Sequence, residues 1–133
     1  MTRYAIDPAT LVQLAESRHR IRADHQIVAP NSIRSLALDL LLQRVRSGEL
    51  TEPAAMELHE RMTEVKMRLL GDRVSRRTVW QIAFAHHWET IRLAEYLAVA
   101  KLQADVLITG DPELASAAKG VVPLASLDDV IGP

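Results

Sequence analysis

Two acids stand directly after short apolar runs in this chain: Asp7 after Tyr4-Ala5-Ile6, and Asp111 just beyond the run 104–109. Each is followed by a proline. In an open parallel sheet, ligands gather beyond the carboxyl ends of the strands, so acids placed there are candidates for a shared site. Two carboxylates about 4 Å apart repel by roughly 4 kcal/mol at an effective dielectric near 20. A shared proton or a bound cation relieves that repulsion. Mg²⁺ suits such a site, because it takes oxygen ligands, keeps several waters and needs only one or two carboxylates. The same residues also have a plainer use, since Asp before Pro caps a helix that starts at the proline. Both readings stay open on the motif alone.

The positioning elements follow from periodicity and punctuation. The run 4–6 reads as a first strand, and Leu11, Leu14 and Ala15 carry a helix from Pro8 to about Ser17. The polar stretch 18–25 reads as a surface turn, and residues 26–29 as a second buried strand closed by Pro30. Asn31 or Ser32 caps a helix whose apolar set runs from Ile33 to Val45, and Gly48 stops it. Thr51 caps another, with Ala55, Leu58, Met62 and Val65 inside. Residues 67–70 fit a strand or a helix end, and Ser75 starts a helix through Phe84. Thr90 caps a helix over 91–102, and the continuous apolar run 104–109 suits a strand covered on both faces. Residues 121–124 read as a last strand and 126–131 as a short terminal helix. Alternating strands and helices predict a parallel sheet with helices on both sides.

Bulk properties narrow the classes. The length of 133 residues fits one domain, 1–133. A net charge of −1 gives no global footprint for nucleic acid or an anionic membrane, so such a partner would need a local basic patch. The absence of cysteine removes disulfides and thiolate chemistry and fits a cytoplasmic protein. No stretch has the length of a membrane span, and no secretory leader is visible. His86 and His87 are adjacent, so a helix would point them about 100° apart and they cannot form an i, i+4 metal pair. Trp80 and Trp88 read as core or interface anchors rather than stacking platforms, and Met56, Met62 and Met67 as core or partner-groove residues. No Gly-rich phosphate loop, nucleophile elbow or zinc spacing is present.

The residues YAID at 4–7, the acid in ITGD at 108–111, and the helix–strand unit before it resemble a PIN domain, as in VapC-type toxins. The resemblance covers nearly the whole chain. It implies a three-layer α/β/α fold around a parallel sheet of four to five strands. It also implies a Mg²⁺- or Mn²⁺-dependent endoribonuclease with about four acids at the strand ends, a VapB-like antitoxin as partner, and a homodimer.

On this resemblance Asp7 takes the place of the first family acid, and Asp111 that of the acid in a TxD-like motif, with Thr109 as its threonine. These two would be the catalytic and metal-holding residues. The remaining two places carry leucine: Leu93, eighteen residues before Asp111, and Leu36 in SIRSLALDLL. Asp39, three residues beyond Leu36, and Glu89, four residues before Leu93, are the candidate substitutes. Glu95 is a weaker one, because a two-residue offset turns it away from Leu93 on a helix. Arg76 and Arg77, with Arg73, are candidates for RNA phosphate contact, although such a run also serves as a solvated helix start. Two function classes follow: a divergent VapC-like endoribonuclease of low activity, or an impaired PIN fold kept as a binding module for an antitoxin-like protein, RNA or its own copy.

Overall fold

The computed structural model describes residues 1–18 and 20–131. His19, which falls in the 18–25 turn read from the sequence, lies outside the described residues. The chain alternates as predicted. Strand β1 (Thr2–Ile6) leads to α1 (Pro8–Ser17), β2 (His25–Pro30), then α2 (Ile33–Arg46) and α3 (Glu52–Thr63). Short β3 (Arg68–Leu70) leads to α4 (Arg73–Ala85) and α5 (Arg92–Gln103), followed by β4 (Val106–Ile108) and α6 (Pro112–Ala117).

The sheet has four strands, all parallel, in the order β3-β2-β1-β4. The chain steps outward from β1 to β3 and then crosses back to place β4 on the free side of β1. The turning point therefore lies between β1 and β4, where an open α/β sheet forms a crevice at its carboxyl edge. Right-handed crossovers put α1, α2 and α3 on one face, where they pack on one another, and α4 with α5 on the other. Helix α5 lies against β1 and β2. The result is a three-layer α/β/α fold.

The core follows from this layering. Ile6, Ile27, Val28 and Leu107 from the strands meet Leu11, Ile33, Leu41 and Leu97 from the helices, all essentially without solvent contact. Strands covered on both faces need continuous apolar runs, which is what residues 4–6, 27–29 and 106–108 supply. Gly48 adopts φ +86° and ends α2, a left-handed conformation that is strained for residues with a Cβ.

Several element boundaries differ from the sequence reading. The run 121–124 contributes only a parallel bridge between Leu107 and Leu124, so the sheet stops at four strands. Pro123 has no amide to extend a ladder, and Leu107 donates to its carbonyl instead. The terminal helix shrinks to a 3₁₀ turn at Leu127–Asp129. Helix α4 begins at Arg73, two residues early, because Asp72 caps it by accepting from the Ser75 amide. Thr90 does not cap α5, whose N-cap position is Ile91. Ser32 stands at the N-cap of α2 but makes no capping bond, since its hydroxyl donates to Glu95 at 3.1 Å.

Candidate functional site

Asp7 and Asp111 both emerge at the carboxyl edge, beside the turning point of the sheet. β1 ends at Ile6 and is paired with β4 in register, Ile6 opposite Ile108. One residue further on β1 is Asp7, and one further on β4 is Thr109. Their side chains meet: the Thr109 hydroxyl donates to Asp7 Oδ2 at 2.5 Å. The same hydroxyl oxygen accepts from the Asp111 backbone amide at 3.0 Å. Thr109 thus ties the Asp7 carboxylate to the backbone of Asp111.

Asp7 is only 5 % exposed, and its other oxygen is also committed. Oδ1 accepts from the Thr10 amide at 2.9 Å and from the Thr10 hydroxyl at 2.6 Å. Three donors therefore satisfy a buried carboxylate from within the fold, as burial of a charge requires. Asp111 likewise caps α6, with Oδ1 accepting from the Glu113 and Leu114 amides at 2.9 and 3.0 Å. Both acids serve the capping role that the two Asp-Pro motifs allowed.

The third wall of the crevice comes from α5. Tyr96 is 3 % exposed, and its hydroxyl lies within the influence of the Asp7 and Glu95 charges. Burial, then Glu95, holds its pKa well above the usual phenol value, with Asp7 adding to the rise. Ser32 lies near enough to oppose that rise, more strongly than Asp7 adds to it, yet no hydrogen bond of good geometry reaches the buried Tyr96 oxygen. Glu95, half-buried, accepts from Ser32 and so joins the start of α2 to the start of α5 over the end of β2.

The positions that would need acids hold apolar side chains. Leu36 and Leu93 are half-buried and pack against the main core. The substitutes weighed from the sequence, Asp39 and Glu89, are both exposed. Asp39 is exposed on α2, accepts from Gln43 at 3.0 Å, and borders a groove of about 410 Å³ between α2 and α3 with Leu38, Leu42 and Met56. Glu89 is exposed in the turn between α4 and α5. Glu95, like Asp7, acts on the buried Tyr96 hydroxyl.

Among the described residues no three His, Cys, Asp or Glu side chains group so as to hold a metal ion. Thr10 and Thr109 take three of the roughly four acceptor positions of the Asp7 carboxylate, leaving about one lone pair on Oδ2 for a cation. These residues do not fit a two-cation centre.

The remaining candidates scatter. Trp88 is half-buried, donates to Glu113 Oε2 at 3.1 Å, and stacks on His86 with ring centroids 4.6 Å apart. It anchors the α4–α5 turn beside α6. Trp80, by contrast, is 65 % exposed and is no core residue. Met62 is buried, while Met56 is exposed at the α2–α3 groove. Arg76 fastens the start of α4 by donating to the Gly71 carbonyl at 2.7 Å, and Arg77 is exposed. No helix among the described residues is long and apolar enough to cross a membrane.

No protein-family model matches the chain, and no curated protein matches it. Among solved structures it is similar to the crystal structure of PAE2754 from Pyrobaculum aerophilum, with a TM-score of 0.71 and 23 % sequence identity. That likeness covers 96 % of this chain and 92 % of the other. At such identity it establishes the fold alone, in agreement with the three-layer architecture.

Proposed function

We propose that this chain is a PIN-type domain whose nuclease centre is degenerate, and that it works in the cytoplasm by binding rather than by cutting RNA. One observation carries the reading: both carboxylate oxygens of Asp7 are used inside the fold, by Thr10 and Thr109. Two-metal phosphodiester hydrolysis needs carboxylates to hold cations on both the attacking and leaving sides of the phosphate. Here one acid is internally satisfied, another caps α6, and the Leu36 and Leu93 positions offer no ligand. What remains is a fold able to present surfaces to an antitoxin-like protein, RNA or a second copy of itself.

The competing reading is a weak VapC-like endoribonuclease that uses Asp7 and Asp111 with Mg²⁺ or Mn²⁺. It draws support from the placement of both acids at the turning point of the sheet, where α/β proteins put their ligands. Incubation with structured and single-stranded RNA in Mg²⁺ or Mn²⁺ separates the two. The binding reading expects no cleavage beyond that of the Asp7→Asn protein. Vigorous metal-dependent cleavage that disappears in Asp7→Asn would overturn it.

A further inference from the structure

Helix α4 turns Ser75, Val79 and Ala83 inward, with Val79 and Ala83 packed against Ala94 and Ala98 of α5. At about 100° per residue, Arg73, Arg77, Trp80 and Phe84 fall within roughly 60° of one another on the outward side. All four are exposed, Trp80 at 65 % and Phe84 at 72 %. The two rings lie nearly parallel, 19° apart in plane with centroids separated by 6.4 Å. The chain has only five Trp, Tyr and Phe residues, and two of them stand here in solvent. Exposing such rings forgoes their large burial gain, which points to a partner for this face. Arg73 and Arg77 form no ion pair among the described residues, so their charge is available.

We propose that this face of α4 is a platform for single-stranded RNA, with Trp80 and Phe84 stacking on bases and Arg73 and Arg77 contacting phosphates. The proposal rests on the reading of the chain as a binding domain and names its partner. Two features favour a single-stranded nucleic acid. Parallel aromatic faces beside cations are the combination that single-stranded nucleic acid recognises, because every base has a stacking face and every linkage a charge. The helix of 13 residues is about 20 Å long, so its one outward face falls well short of the roughly 800 Å² per partner of a stable protein interface. A strand of a few nucleotides needs no such area. Double-stranded RNA fits poorly, since its bases are stacked on one another and closed to the rings.

The test is fluorescence anisotropy with labelled single-stranded 12-nucleotide oligo-A and oligo-U, a duplex control, and sedimentation of each protein. The expected result is binding to both single strands and little to the duplex. With two phosphate contacts, affinity should fall about sevenfold between 50 and 200 mM salt. Trp80→Ala should weaken binding about tenfold, Trp80→Phe should restore most of it, and Arg73→Gln with Arg77→Gln should flatten the salt dependence. Absence of salt-sensitive binding would overturn the proposal, as would binding that ignores the Trp80 and arginine substitutions. A dimer that Trp80→Ala dissociates, without RNA affinity, would overturn it in favour of a second copy of the chain. Cleavage of the oligonucleotide in Mg²⁺ would instead sink the binding-only reading while leaving the platform standing.

Discussion

Thr109 donates its hydroxyl proton to Asp7 Oδ2 while accepting the Asp111 amide on the same oxygen. One side chain thereby joins the ends of β1 and β4 and fixes the loop that starts α6.

Thr109→Val should test that bridge. The substitution keeps shape but leaves Asp7 Oδ2 and the Asp111 amide without their partner. Stripping one partner from a buried charged group costs about 1–3 kcal/mol, which should appear as a lower urea midpoint at unchanged slope. Thr109→Ser, retaining the hydroxyl, should recover most of it. A Val variant as stable as the parent would show that the bridge contributes nothing.

Asp7 itself offers a sharper contrast. Alanine there removes the cap of α1 and strands the Thr10 and Thr109 donors, so a loss of about 1–2 kcal/mol is expected. Asparagine still accepts through its one oxygen and should cost less than half of that. Equal losses for the two substitutions, measured by denaturant titration, would mean that the negative charge rather than the capping geometry is what the fold uses.

The fold was readable because its signals are local and repeated: apolar runs closed by Asp-Pro, and helices of steady period between them. The same locality explains why both acids were visible as helix caps. The missing parts are tertiary. Nothing near Ser32 says that its hydroxyl will leave the α2 cap for Glu95, sixty-three residues away. In the 121–124 run the one local warning was Pro123, whose missing amide leaves only the bridge at Leu124. Trp80 reads as an anchor by type, and only the packing of α4 through Val79 and Ala83 turns it outward.

Tyr96 gives a prediction at high pH. Its folded pKa lies above the unfolded value near 10, first because of burial and then because of Glu95. Above pH 10 the unfolded chain releases this proton while the folded chain keeps it. Stability is therefore undiminished below that pH and falls as pH rises toward the folded pKa. Tyr4, raised by burial and by Asp129, adds a share of its own. Tyr96→Phe should remove the Tyr96 share. At neutral pH it should leave stability equal or up to about 1 kcal/mol higher, because no hydrogen bond of good geometry reaches the deleted hydroxyl. A clear loss at pH 7 in thermal melts would mean that the hydroxyl is satisfied after all.

Leu36→Glu with Leu93→Asp should convert a packed wall into a site with a metal response. In EDTA the double variant should melt below the parent, since two carboxylates replace half-buried leucines without a counter-charge. Mg²⁺ binding only the folded form stabilises by about 2.7 kcal/mol at a hundredfold excess over Kd, or roughly 10 °C for a chain of this size. The parent, with its acids held by Thr10, Thr109 and the α6 amides, should show no comparable shift. Differential scanning calorimetry with and without Mg²⁺ decides the matter. An equal Mg²⁺ response in parent and double variant would mean that Asp7 and Asp111 already hold a cation. No response in either would mean that positions 36 and 93 do not converge on Asp7, and the degenerate-centre assignment would fall.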